Sequence, residues 1–121
     1  EFQNVSTLPA DFKGANACAE VEIHPNGKFL YGTNRGHDSL AVFSIDPANG
    51  HLAPIQHISS GGKTPRNFAF DPTAKWIVCT NHASNNAVVF RVDAETGRLT
   101  QQGEPISVPA PFCERFLAVM R

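Results

Sequence analysis

Two arginines, a glutamate and two histidines lie in or near three short polar segments of this 121-residue chain: Asn34-Arg35-Gly36-His37-Asp38, Lys63-Thr64-Pro65-Arg66-Asn67 and Asn81-His82-Ala83-Ser84-Asn85-Asn86. Arg35 and Arg66 each offer a planar guanidinium, so together they can grip a carboxylate or phosphate bidentately. Asn67 and His82 stand beside them as further binding groups. Glu20, in an apolar stretch, is a candidate general base for water attacking a carbonyl. His37 can give or take a proton near neutral pH. Structural readings stand next to each role: Glu20 in a salt bridge to Arg35 or Arg66, Arg35 tied to Asp38, and His37 hydrogen-bonded to Asp38. No H-x-x-x-H spacing or acidic cluster points to a metal, no G-x-S-x-G elbow is present, and no cofactor is expected.

These residues recur in register because the chain repeats itself. Displaced by 47 positions, Pro25 meets Pro72, Lys28 meets Lys75, Thr33-Asn34 meets Thr80-Asn81, Val42-Phe43 meets Val89-Phe90, and Asp46, Gly50 and Leu52 meet Asp93, Gly97 and Leu99. No gap is needed from Ile23 to His57. Within each unit, short runs rich in Val, Ile, Phe and Tyr alternate with turn segments such as His24-Pro25-Asn26-Gly27 and Asp46-Pro47-Ala48-Asn49-Gly50. The fourth run, Leu52–Ile58 or Leu99–Ile106, is the more polar, as an outer edge should be. Four short strands repeated at this period are the mark of a propeller blade, and no stretch keeps a 3.6-residue apolar period.

The fold class expected is therefore all-β: a β-propeller segment of two complete four-stranded blades, residues 17–59 and 65–107, plus flanking strands. Residues 1–12 read as the outer strand of a preceding blade, with Phe2 to Leu8 as its body. Residues 111–119 read as the inner strand of a following one. Ten strands cannot close a ring, so the partners expected are the remaining blades of a longer chain or further copies of this one. The competing fold is an isolated sandwich built from a duplicated four-stranded unit. Because strands alternate direction, the three polar segments share one end of the blades, and the remaining turns share the other. Functional groups collect on loops held by a rigid scaffold.

Composition narrows the partners. A formal charge of −1 and the absence of a basic run argue against nucleic acid. Apolar stretches of four to six residues are too short for a transmembrane helix; the setting expected is cytoplasmic. Cys18, Cys79 and Cys113 are odd in number and form no C-x-x-C pair, so each reads as a small buried hydrophobe. His24, His51 and His57 read as solvent-facing.

The run from Ala19-Glu20 through Asn34-Arg35-Gly36-His37-Asp38-Ser39, followed by Gly61-Gly62-Lys63-Thr64-Pro65-Arg66-Asn67-Phe68 and Asp71-Pro72, resembles the seven-bladed lactonase family. That family includes bacterial 6-phosphogluconolactonases and fungal carboxy-muconate cyclases. The likeness extends from about Val5 through Phe116 and falls in the C-terminal third of such proteins. It implies hydrolysis of a sugar-acid lactone such as 6-phosphogluconolactone, with the arginines binding the anionic group and Glu20 assisting water. A muconate-type cycloisomerase and a non-catalytic binding propeller are the alternatives. One position departs from the family: where a histidine is frequent, this chain has Glu22, so no role of that histidine carries over.

Overall fold

The computed structural model describes residues 2–109 and 111. Its eight strands are β1 (Ala17–Ile23), β2 (Phe29–Arg35), β3 (Ser39–Ile45), β4 (Leu52–Ser59), β5 (Pro65–Phe70), β6 (Trp76–Asn81), β7 (Asn86–Val92) and β8 (Leu99–Ser107). They form two four-stranded antiparallel meanders, β1-β2-β3-β4 and β5-β6-β7-β8. These are two propeller blades, and no helix occurs among the described residues.

Local chemistry bends the chain at the same repeat positions in both blades. Asp46 and Asp93 each fold the link between third and fourth strands into a side-chain-capped turn. Asp46 Oδ1 accepts the Ala48 N–H at 2.8 Å and Asp93 Oδ1 accepts the Glu95 N–H at 2.9 Å. The Thr96 and Glu95 N–H groups hold the Asp93 carboxyl below its usual range. Positive φ recurs in register at Gly27 and Ala74, Asp38 and Asn85, and Gly50 and Gly97.

The blades stack with opposite faces. Side chains alternate across a strand, and blade 1 presents one face of its sheet while blade 2 presents the other, so the inward residues of blade 1 are not the repeat partners of those in blade 2. Phe29, Tyr31, Leu40 and Val42 of blade 1 meet Phe68, Ile77, Cys79, Val88 and Phe90 of blade 2 in one buried cluster. A fully buried side chain of this kind contributes about 1.5–3 kcal/mol. Across the junction the Tyr31 hydroxyl donates to the Gly97 carbonyl at 2.7 Å, and burial, with the Asp93 charge second, pushes that phenol's pKa up. Phe43 is buried outside this cluster, while Trp76 and Val78 are half-buried on the far face of blade 2. There Arg91 lies over the Trp76 ring, 5.7 Å from its centroid.

A glutamine fastens the outer strands. Gln56 Oε1 accepts the Leu99 N–H at 2.8 Å while its Nε2 donates to the Leu99 carbonyl at 3.0 Å. Gln3 treats Leu52 in the same way, at 2.7 and 2.8 Å. Leu52 and Leu99 are repeat partners, so Gln3 makes to blade 1 the contact that Gln56 makes to blade 2. Gln102 pairs opposite Val89 as Gln56 pairs opposite Val42, and it is exposed.

Several sequence expectations need correction or placing. Phe2 to Leu8 form no strand; an outer strand exists only by pairing with the third strand of its own blade, and the described residues supply no such strand for this segment. Cys18 is exposed rather than buried, although Cys79 is buried. Its strand, β1, is the innermost of its blade and is largely uncovered. His24 is buried, its ring against Phe70 and Nε2 3.3 Å from the Ala74 carbonyl, since its turn packs on blade 2. His57 is half-buried. The strand expected at 111–119, and Cys113, lie outside the described residues apart from Pro111. No helix among the described residues is long and apolar enough to cross a membrane.

Candidate functional site

Bulges in the innermost strands aim the first two candidates. In β1, Cys18 pairs with Asn34 and Val21 with Gly32, so Ala19 and Glu20 together oppose Thr33. In β5, Pro65 pairs with Asn81 and Asn67 with Thr80, so Arg66 is the extra residue of a bulge. A bulge of this kind kinks the strand and redirects a side chain. The Glu20 N–H donates to Thr33 Oγ1 at 3.0 Å. Its Oε2 accepts a hydrogen bond from Nδ2 of Asn67, the residue at Glu20's own repeat position in blade 2. Of the two arginines that one reading pairs with Glu20, Arg35 donates from Nη2 to the Cys18 carbonyl at 3.2 Å. Arg35 ends β2 half-buried, and Arg66 is exposed.

His37 is half-buried in the loop that follows Arg35. Its Nδ1 lies 2.7 Å from Ser39 Oγ, its ring meets Phe12 edge-on at 4.8 Å, and its N–H donates to Asn16 Oδ1 at 3.1 Å. Ser39, not Asp38, is thus its side-chain partner. Asp38 Oδ1 accepts the N–H groups of Gly36 and Thr64, and the Thr64 carbonyl accepts the His82 N–H at 2.9 Å. His82 follows β6 at the repeat position of Arg35. The structure therefore gathers Glu20, Arg35, His37, Arg66, Asn67 and His82 at one end of the two blades, with Glu20 and Asn67 in direct contact.

Sequence reasoning passed over a pair that holds this end together. Asn34 and Asn81 are fully buried repeat partners. Asn34 Nδ2 donates to the Thr7 carbonyl and to Ser39 Oγ, while its Oδ1 accepts from Thr7 Oγ1 and Asn16 Nδ2. Asn81 Nδ2 donates to the Ser60 carbonyl and Asn86 Oδ1. Each asparagine anchors the segment leading into its blade. The available signal was two identical polar residues at equivalent strand ends.

A cleft of about 830 Å³ opens at the opposite end, among Lys75, Arg91, Asp93, Glu95 and Arg98. It contains none of the candidate residues. A channel mouth needs walls on every side, and two blades supply only part of one. Among the described residues no cluster of three or more His, Cys, Asp or Glu could hold a metal ion.

The sequence model of a family described as "Lactonase, 7-bladed beta-propeller" matches residues 1–116. A 6-phosphogluconolactonase of Bacillus subtilis (strain 168) is 43% identical over 117 residues, which are 97% of this chain and 34% of that protein. Another from Formosa agariphila is 46% identical over 92 residues, 74% of this chain and 26% of that protein. Among solved structures, a protein from Lactobacillus plantarum superposes with a TM-score of 0.86 at 38% identity, covering 90% of this chain and 32% of its own. A periplasmic gluconolactonase of Pseudomonas aeruginosa gives 0.80 at 32% identity, covering 86% and 29%. The chain thus spans about a third of the length of such relatives.

Proposed function

The chain belongs to the lactonase family of seven-bladed β-propellers, and from that premise we propose that its loop end forms part of a site that hydrolyses a sugar-acid lactone. The observation that carries this reading is the Glu20 carboxylate held by the Asn67 amide across the blade junction, with Arg35 and Arg66 on the neighbouring strand ends. In the proposed reaction Glu20 takes a proton from water as its oxygen bonds to the lactone carbonyl carbon. The ring C–O bond then breaks, and the leaving alkoxide is protonated to give the open hydroxy acid. His37 is the proposed proton carrier for that second transfer. Arg35 and Arg66, aided by Asn67 and His82, bind the anionic group. For a phosphorylated lactone such as 6-phosphogluconolactone the proposed setting is the cytoplasm; one similar structure is, by contrast, a periplasmic gluconolactonase.

The test is saturable lactone hydrolysis by a family-length protein carrying these residues. Arg35→Ala should lower kcat/KM by about 10- to 100-fold, the loss expected from one or two charge-assisted hydrogen bonds. Glu20→Gln should lower kcat by about 100-fold or more, as for loss of a general base. Normal turnover in both variants would remove these residues from the mechanism.

A further inference from the structure

The candidate residues act together only if the three segments that carry them keep a fixed spacing, and one side chain joins those segments. Asp38 closes the β2–β3 loop at φ 58°, a left-handed conformation that aspartate tolerates better than most residues. Its Oδ1 accepts the Gly36 N–H at 3.2 Å and the Thr64 N–H at 3.0 Å. Its own carbonyl accepts the Ser60 N–H at 2.9 Å. Thr64, in the connection between the blades, is also left-handed at φ 60°. A β-branched residue stays there only when its surroundings hold it. Its carbonyl in turn accepts the His82 N–H at 2.9 Å.

A single half-buried carboxylate thus ties the loop of Arg35 and His37 to the connection that enters Arg66 and Asn67 and, through Thr64, to His82. We propose that Asp38 is a positioning residue: it sets the spacing of Arg35 against the start of β5 without itself contacting substrate. The kinetic consequence rests on the hydrolase reading above; the structural consequence rests on the hydrogen bonds alone. Asn85, at the repeat position of Asp38, has φ 52°, and its carbonyl accepts the Val108 N–H at 2.9 Å. An uncharged amide side chain is therefore compatible with this loop geometry, which supplies the conservative variant.

The experiment compares Asp38→Ala, which removes the acceptor, with Asp38→Asn, which keeps Oδ1 for both N–H groups, in a family-length protein carrying these residues. Amide hydrogen exchange at Gly36, Thr64 and His82 should accelerate about tenfold or more in Asp38→Ala, while Tyr31 and Val88 in the strands keep their protection. Asp38→Asn should stay within about threefold of the unaltered protein. With a sugar-acid lactone as substrate, Asp38→Ala should lower kcat/KM by about 10- to 100-fold, chiefly through KM, and Asp38→Asn should restore it. Loss of folded protein alone lowers apparent kcat and leaves KM in place. Unchanged exchange at Thr64 and His82 in Asp38→Ala, or Asp38→Asn as impaired as Asp38→Ala, overturns the proposal. If the unaltered protein hydrolyses no lactone, the hydrolase reading falls, and exchange still decides whether Asp38 fixes the loop spacing.

Discussion

At the loop end of blade 1 the repeat positions hold Glu20, Arg35, His37 and Asp38; in blade 2 the same positions hold Asn67, His82, Ser84 and Asn85. At the turn end the correspondence is far closer, with Lys28 and Lys75, Asp46 and Asp93, and Gly50 and Gly97. Backbone conformation is shared even where side-chain chemistry is not, since Asp38 and Asn85 are both left-handed and Asn34 and Asn81 are both buried anchors. The frame is therefore a property of the repeat, whereas the charged groups at the loop end differ between copies: Glu20, Arg35 and Asp38 in one, Arg66 in the other. A site can be grafted onto one unit without altering the packing that both units share.

The comparison can be broken most severely in the junction. Phe90→Ala should cost about 3–5 kcal/mol in denaturant unfolding, because the ring is fully buried between the blades. Phe43→Ala, at the repeat position but outside that cluster, should fall near the lower end, about 3 kcal/mol. Costs below about 1 kcal/mol at both would contradict the blade packing.

A sharper contrast lies in two glycines with the same backbone conformation, Gly50 at φ 77° and Gly97 at φ 79°. A methyl group on Gly50 would find Phe2 no closer than 3.9 Å, whereas on Gly97 it would meet the Phe29 ring at 2.5 Å. Gly50→Ala should cost about 1 kcal/mol of left-handed strain. Gly97→Ala should cost about 2–4 kcal/mol, because overpacking adds to that strain. Equal shifts in thermal melting would mean that Phe29 yields freely.

Smaller effects test the glutamine fastening and the turns. Gln56→Ala should cost about 1–2 kcal/mol by leaving the Leu99 N–H and carbonyl without their partner. Gln3→Ala should cost less, since its segment is not part of a sheet. Asp71 stands where blade 1 has His24. Burial raises its carboxyl pKa, but hydrogen bonds from Thr73, Trp76 and Lys75 outweigh this and hold it below its usual value. A depressed carboxyl stabilises the fold fully above its unfolded pKa of about 4 and loses that contribution as pH falls through the folded value. The stability advantage over Asp71→Asn should therefore be present at neutral pH and vanish in acid, and at this surface turn it should amount to only about 0.5 kcal/mol.

Much of this frame was legible because its causes are local. The aspartate-capped turns, the left-handed glycines and the alternation of apolar residues leave traces within a few positions, and the 47-residue spacing aligns them. Features that depend on what packs alongside left weaker traces. The bulges at Glu20 and Arg66 arise from pairing with β2 and β6, so no spacing within β1 or β5 announces them. The glutamine fastening is hidden because Gln3 precedes Leu52 by 49 residues whereas Gln56 precedes Leu99 by 43; the segment leading into blade 1 is the longer by that difference. His24 looked like a turn residue and is one, but only the second blade buries it. Cys18 looked like core because its strand is apolar, yet that strand lines the uncovered inner edge.

The glutamine fastening also has a direction. Gln3 reaches forward to Leu52 and Gln56 reaches forward to Leu99, while Gln102 stands ready in the same register. A contact in which one surface always gives and a different surface always receives cannot relate two bodies by a twofold axis. It is heterologous, so each added unit repeats one rotation in one sense. Such a series has two fates, closure into a ring or growth into an open helix, and the rotation and rise from each blade to the next decide which.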